Sequence, residues 1–166
     1  MKPRLEQLFR EYAACHRHPT NRLTHKIAIP IIVFHIVAML DWVKLPVLLP
    51  LGALGGPFVD VPLSLGHISF VTTMGYYALL HIPLALAMAA LWLPLFPLAA
   101  VTPRWLVVVL AVAGWIIQLA GHSVWEKNRP AFVKNMQQAL IGPFYFVAVI
   151  AGVYTPVYSA PARAEA

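Results

Sequence analysis

Long apolar runs separated by short polar segments dominate the hydropathy pattern of the chain. Four of these runs contain no Asp, Glu, Lys or Arg: residues 27–40, 61–103, 105–125 and 135–162. Each of the last three is longer than the roughly 20 residues that one helical bilayer crossing requires. The run 61–103 is long enough for two crossings, and His81-Ile82-Pro83 near its middle predicts a turn between them.

The fold class that this pattern predicts is all-α: a polytopic membrane helical bundle of about five spans with amphipathic interfacial helices. The spans are expected near residues 27–43, 64–81, 83–101, 105–121 and 143–157. Residues 44–62 are rich in proline and glycine, which favours a loop with a short interfacial or re-entrant piece.

The first amphipathic helix is predicted over residues 3–16. Its apolar positions recur at helical spacing, and His16 lies on the same face as they do. Pro19 then disfavours helix at the preceding residue, so a new helix is expected to begin there with Thr20 or Asn21 as its cap. The break changes the direction of the chain just after His16.

The second amphipathic helix is predicted over residues 130–141, where apolar positions again recur at helical spacing. Gly142-Pro143 is expected to end this helix before the last span begins. Residues 1–158 are interpreted as a single membrane-embedded domain. The small and polar residues 159–166 are predicted to be a disordered tail.

Composition supports a membrane protein and excludes several other classes. Hydrophobic residues make up 60% of the chain and charged residues only 11%, whereas about a quarter of the residues of a soluble domain are charged. The net charge of +6 does not indicate nucleic-acid binding, because the basic residues are not interleaved with exposed aromatic residues on a soluble face. Cys15 is the only cysteine, which excludes an intramolecular disulfide or a thiolate zinc site.

The basic residues also predict an orientation. Nine of the twelve Lys and Arg residues lie in residues 1–26 and 122–138, which an even number of spans brings to the same side. By the positive-inside rule that side is cytoplasmic. We therefore expect a multi-pass protein of a bacterial inner membrane, or of the endoplasmic reticulum in a eukaryote, with these two segments in the cytoplasm.

Two polar segments lie at that boundary and carry candidate metal ligands. His122 and Glu126 are four residues apart, so a helix places them on one face, with Gln118 one turn earlier. His16 and His25 would point in opposite directions in one continuous helix. The turn predicted at Pro19 allows these two histidines to converge.

The side chains of His16, His25, His122 and Glu126 are therefore candidate metal ligands. Imidazole and carboxylate suit iron, manganese or zinc, and two histidines with one carboxylate form the site of many non-heme iron oxygenases. The alternative is a solvated helix end, at which Glu126 pairs with Arg129. The other four histidines are interpreted as structural, although haem ligation is a competing use: His18, His35, His67 and His81.

Two sequence blocks carry a resemblance to a known family. The first contains, in this order, Tyr12, His16, Pro19, Asn21, His25 and Pro30. The second contains Gly114, Trp115, Gln118, Gly121, His122, Glu126, Lys127, Arg129, Pro130 and Ala131. Their order and spacing resemble those of the 2-hydroxy fatty acid dioxygenase family.

The resemblance implies an Fe(2+)-dependent enzyme that takes a long-chain 2-hydroxy fatty acid and O₂ and yields a fatty acid one carbon shorter. It implies His16, His25 and His122 as metal ligands, with Glu126 as a further ligand or as a hydrogen-bond partner of one. Glu126, Asn21 and Gln118 are the candidate catalytic residues. Membrane lipid is the expected environment, and the oligomeric state stays open.

Two other functions remain open. The first is a non-catalytic small membrane transporter or lipid-binding scaffold in which the histidines only brace helices. The second is a zinc hydrolase that uses Glu126 as its general base. A scaffold has no reason to bind about one iron per chain, and a hydrolase would work without O₂.

Overall fold

The computed structural model describes residues 1–55 and 60–158, and most of these residues are helical. The helices are α1 (Pro3–Ala14), α2 (Pro19–Asp41), α3 (Leu65–Leu80), α4 (Ile82–Trp92), α5 (Leu95–Val101), α6 (Arg104–Ala120), α7 (Ala131–Lys134) and α8 (Gln137–Ile150). Two strands, β1 (Lys44–Leu49) and β2 (Val61–Ser64), flank a 3₁₀ turn at Leu51–Leu54. A π-helical turn, Gly121–Glu126, continues directly from α6.

Within the described residues, three helical segments are long and apolar enough to cross a bilayer: Pro19–Asp41, Ile82–Val101 and Arg104–Glu126. The second of these joins α4 and α5. The helices α3 and α8 have 16 and 14 residues, which is shorter than the roughly 20 residues of a full crossing. Large apolar side chains such as Leu79 and Ile150 are more than two thirds exposed, as expected of a surface that faces lipid rather than water.

The helix α2 lies at the centre of the bundle and packs against α3, α5, α6 and α8. It runs antiparallel to α6. At one end, His25 of α2 meets Gln118 of α6; at the other end, the Arg104 guanidinium lies 5.5 Å from the ring centroid of Trp42. The two ends are called the histidine end and the distal end below.

The predicted amphipathic helix at the N-terminus is confirmed as α1. Its apolar face is buried against α8 and the junction of α3 with α4. Phe9 is fully buried and packs against the rings of Phe144 and Tyr145, with centroids 6.0 and 5.5 Å away. Burial of this face, together with ring contacts of this kind, anchors α1 across the histidine end of the bundle.

Residues 44–64 differ from the prediction, because they form an antiparallel hairpin rather than a loop. Lys44 pairs with Ser64 and Leu49 pairs with Val61, so the all-α class is wrong for this segment. Both strands are edge strands, where proline is tolerated because no ladder hydrogen bond is needed on the outer side. Residues 56–59 lie outside the described part of the chain.

The start of the last helix, α8, also differs from the prediction. Gly142-Pro143 does not end a helix, because α8 runs through it from Gln137 to Ile150. Only α7 and the first residues of α8 occupy the helix predicted over 130–141. Gly142 is needed there for close packing: a Cβ would stand 3.2 Å from the Tyr12 hydroxyl of α1. The predicted tail 159–166 lies outside the described residues.

Candidate metal centre

Three histidines from distant parts of the sequence meet at the histidine end of the bundle. His16 follows α1, His25 lies in the second turn of α2, and His122 lies in the π-helical turn after α6. Their ring centroids are 4.5 to 4.8 Å apart in each pair, and all three rings are at least 95% buried. We call these three residues the histidine cluster.

A short turn positions His16 against α2. After α1 ends, a short turn leads to α2, which begins at Pro19, a residue that is favoured in the first turn of a helix. His18 caps this helix, accepting a hydrogen bond on its Nδ1 atom from the Thr20 amide at 3.2 Å. The prediction that Thr20 or Asn21 is the cap is therefore wrong. His16 itself stacks on Tyr12, with centroids 4.0 Å apart.

Backbone carbonyls fix the orientation of two rings. The Nδ1 atom of His16 lies 2.6 Å from the carbonyl oxygen of Tyr12, and that of His25 lies 2.7 Å from the carbonyl oxygen of Asn21. A carbonyl can only accept a proton, so both Nδ1 atoms carry hydrogen and both Nε2 atoms present a lone pair. Histidine ligands of metal ions are commonly held in this way.

One nitrogen of each ring lies where the three could hold a metal ion together. The Nε2 atoms of His25 and His122 are 3.0 Å apart, and one nitrogen from each of the three rings lies within 4.8 Å of the others. Nitrogens bound to one ion at about 2.1 Å are at most about 4.2 Å apart, so small ring rotations would bring the set onto one ion. In the described part of the chain, the buried Nε2 of His16 has no hydrogen-bond partner, as expected of an unused ligand atom.

The electrostatic environment keeps His16 neutral. Burial, reinforced by the neighbouring His25, holds the pKa of His16 well below its usual value, against the opposing effect of the hydrogen bond to Tyr12. A metal ion binds the neutral imidazole. This residue therefore needs no deprotonation at neutral pH before it can act as a ligand.

Glu126 lies near the cluster but is not part of it. Its carboxylate accepts hydrogen bonds from the backbone amides of Arg17 and His18, at 2.8 and 2.9 Å, and from the Asn21 side-chain amide at 3.0 Å. None of the hydrogen bonds of Glu126 in the described residues goes to Arg129 or to a ring of the cluster. The carboxylate instead ties the end of the π-helical turn to the start of α2.

Gly121 allows the two segments to approach closely. A Cβ at this position would overlap Asn21 Oδ1 and Thr24 Oγ1 of α2. The π-helical turn that begins with Gly121 brings His122 against His25 of α2, and Lys127, with a φ of 51°, ends the turn in the left-handed region. π-helical turns of this kind are frequent at functional sites.

Gln118 and Asn21 also contact the cluster. The side-chain Nε2 of Gln118 lies 2.7 Å from Nε2 of His25, and its buried Oε1 has no partner within the described residues. Asn21 links the cluster to Glu126, because its carbonyl accepts from His25 while its side chain donates to the carboxylate.

The four remaining histidines have structural contacts instead. His18, His67 and His81 each cap the N-terminus of a helix, accepting a backbone amide on Nδ1 or closing a capping box. His35 contacts the carbonyl of Ile31 one turn earlier in α2. None of them belongs to the histidine cluster.

An apolar pocket leads away from the cluster into the bundle. His16 and His122 line its polar end, together with Tyr12 and Gln118. From there it continues between α2, α3, α4 and α8 along mainly aliphatic and aromatic side chains. A second, open pocket on the other side of His122 is lined by Lys127 and Arg129.

The profile of one known family covers nearly the whole chain. The family described as 2-hydroxy-palmitic acid dioxygenase Mpo1-like matches residues 3–154. The chain belongs to this family. It is 33% identical over 141 residues to the 2-hydroxy-palmitic acid dioxygenase MPO1 of Saccharomyces cerevisiae, a stretch that covers 82% of this chain and 72% of the yeast protein. No solved structure matches the chain.

Membership of the Mpo1-like family confirms the resemblance seen in the two sequence blocks, which both lie inside the matched residues. The pocket residues behind the cluster were not identified from the sequence. Thr73 and Gln138 are polar side chains within apolar segments, and this contrast is the signal that could have identified them. The aliphatic pocket residues are indistinguishable in sequence from lipid-facing ones.

Proposed function

We propose that this protein is an iron(II)-dependent dioxygenase that converts a long-chain 2-hydroxy fatty acid into the fatty acid one carbon shorter. The observation that carries the proposal is the histidine cluster, three buried imidazoles with converging Nε2 atoms at the mouth of an apolar pocket. The yeast relative is named for 2-hydroxy-palmitic acid, which has the carboxylate, hydroxyl and long chain that such a site suits.

The pocket supports an acyl chain as its occupant. Along α2 it reaches Val37, twelve residues beyond His25, which corresponds to about 18 Å of helix. One leaflet of the hydrocarbon core, and hence one lipid tail, is about 15 Å thick. A single extended tail therefore matches the length of the pocket while its polar head stays beside the cluster.

His16, His25 and His122 would hold the iron, since imidazole is a suitable ligand for it. Iron(II) at this position would supply the activation of O₂ for oxidative cleavage of the bond between C1 and C2. The overall reaction would convert one 2-hydroxy acid and one O₂ into the shortened acid, CO₂ and water. Iron is proposed over zinc because cleavage by O₂ needs a redox-active metal.

Protein side chains would bind the head group and keep the histidines in place. Lys127 and Arg129, in the open pocket beside His122, are suited to pair with the substrate carboxylate. The Gln118 amide faces the cluster and can hydrogen-bond to the substrate hydroxyl. Asn21 and Glu126 act as positioning residues, because they hold the His16 turn and the His122 turn against each other.

The membrane arrangement is part of the proposal. We propose five spans, with α3 and α8 as short or tilted spans beside the three long segments, and the histidine end on the cytoplasmic side. A site at the boundary suits an amphiphilic substrate, since the tail can enter from lipid while the carboxylate stays near water. O₂, which is apolar, can reach the site through the same apolar region.

Anaerobic reconstitution with Fe(II) tests the proposal. The purified protein is expected to bind about one iron per chain and, once O₂ is admitted, to convert a 2-hydroxy acid into the acid one carbon shorter, detected by mass spectrometry. Zn(II)-loaded protein is the matched control and should give no product. Protein that binds no metal would support the scaffold, and activity without O₂ would support the hydrolase.

A further inference from the structure

One large aromatic residue lies at the end of the apolar pocket that is farthest from the cluster. Trp92 lines the pocket and is the last residue of α4. The helix α4 begins at Ile82, beside the α3–α4 junction that packs on α1 at the histidine end. Ten residues of helix separate Ile82 from Trp92, so the indole lies about 15 Å deeper in the bundle.

Residues of α2 and α3 also show that the end of the pocket lined by Trp92 lies at the distal end of the bundle. Ser64, which caps α3, donates a hydrogen bond to Asp41 at the distal end of α2, at 2.7 Å. Ser69, only five residues into α3, therefore lines the pocket at that end. Val37, which is one turn before Asp41, lines it from α2. Trp92, Ser69 and Val37 form what we call the pocket floor.

The indole of Trp92 is held by its neighbours. Its ring centroid lies 6.3 Å from that of Phe70, and it packs against the buried cluster that Ile29, Val33 and Val37 form on α2. A side chain packed on two helices cannot swing aside without opening their contact. The Trp92 indole is therefore expected to stay in place when a ligand chain reaches it.

We propose that Trp92 sets the maximum length of the acyl chain that the pocket accepts. The inference rests on the proposed function for the identity of the ligand. The distance from the cluster to the floor then limits how many methylenes lie beyond the head group. A longer chain must fold back or displace the indole, whereas a shorter chain leaves the floor empty.

The affinity of the pocket for a fatty acid is measured relative to the same fatty acid dissolved in the bilayer. Lipid tails are as apolar as the pocket, so each methylene that fits gains little over staying in the bilayer. A methylene that does not fit overpacks an apolar site, which lowers affinity about fivefold or more. With ligand expressed as mole fraction in the lipid, binding should be nearly flat with chain length and then fall at one limit.

A chain-length series on the metal-free protein in nanodiscs tests the proposal. Saturated 2-hydroxy fatty acids of increasing length compete with a fluorescent fatty acid. Trp92→Ala is expected to move the limit to longer chains by two or more methylenes. Ser69→Leu adds bulk to the floor and is expected to move it to shorter chains. Trp105→Ala is the matched control, because Trp105 is 68% exposed and lies outside the pocket.

Three results would overturn the proposal. One is an unchanged limit in folded Trp92→Ala, another is an unchanged limit in Ser69→Leu, and the third is an equal shift in Trp105→Ala, which would indicate general loosening. If Trp92→Ala does not fold, Ser69→Leu still decides. A chain-length limit that moves as expected in a protein that gives no O₂-dependent product would overturn the proposed function and leave the role of Trp92 standing.

Discussion

Glu126→Gln tests how the two histidine-bearing segments are held together. The substitution preserves size but removes the charge, and it replaces one acceptor oxygen by an NH₂ group. In the structure, Oε2 accepts from His18 and Asn21, and Oε1 accepts from Arg17. The least disruptive arrangement keeps the amide oxygen at the Oε2 position, so the contact with Arg17 is lost.

The expected cost follows from these contacts. Hydrogen bonds to a charged group contribute about 1.5–3 kcal/mol and neutral ones about 0.5–1.5 kcal/mol. Two retained bonds that each weaken by about 1 kcal/mol give a total near 2 kcal/mol. The lost bond adds less, because the exposed Arg17 amide can bond to water. The expected loss of iron affinity is roughly 10- to 100-fold, as for other residues that support metal ligands.

Two measurements check this prediction. The affinity for Fe(II) is measured anaerobically by competition with a chromophoric chelator, and the stability of the metal-free protein by its Tm. Glu6→Gln is the matched control, since in the described part of the chain the Glu6 carboxylate forms an exposed pair with Arg10 at 3.2 Å, worth under about 1 kcal/mol. Wild-type affinity and Tm in Glu126→Gln would refute the reasoning. Complete loss of iron with an unchanged Tm would instead make Glu126 a direct ligand.

Three further predictions concern the cluster and its surroundings. Alanine at each residue of the histidine cluster is expected to remove stoichiometric iron, measured by elemental analysis, whereas His18→Ala and His67→Ala retain it and lose only about 1 kcal/mol of stability as helix caps. Iron lost in His18→Ala but kept in the cluster variants would contradict the assignment. Gly121→Ala is expected to lower the Tm and iron affinity together, because its Cβ overlaps the side chains of α2; a variant as stable as the wild type would exclude this tight contact. Single cysteines at positions 20 and 128, introduced after removing the natural cysteine, are expected to react from the same side of the membrane, and labelling from opposite sides would exclude a shared site.

Most helices, including those long and apolar enough to cross a membrane, could be predicted from the sequence because hydropathy is a local property. Charge-free runs longer than about 20 residues predicted the segments that the structure shows as α4 with α5 and as α6, and the shorter run 27–40 predicted the apolar part of α2. Helical periodicity predicted α1, since its apolar face had to be buried somewhere. The convergence of His16, His25 and His122 was also expected, because it needs only a break at Pro19 and a chain that returns to the same end.

Segments in which local signals conflict were decided by tertiary contacts. Gly142-Pro143 predicts a helix end from local sequence, yet α8 continues through it, and Gly142 lies where α8 packs closely against Tyr12 of α1. The hairpin at residues 44–64 forms where proline and glycine predict a loop. The Ser64–Asp41 hydrogen bond holds its second strand against the end of α2.

The partners of polar side chains were decided only by the tertiary structure. The sequence left three alternatives for Glu126: a metal ligand, a hydrogen-bond partner of a ligand histidine, or an ion pair with Arg129. Among the described residues, its carboxylate bonds to Arg17, His18 and Asn21, more than 100 residues earlier, and these partners could not be read from the sequence. The pocket is a similar case, since whether Val37 or Trp92 faces lipid or a cavity depends on the neighbouring helices. The hydropathy of a segment is determined by its own residues. A hydrogen-bond partner or a cavity exists only once segments distant in sequence have packed together.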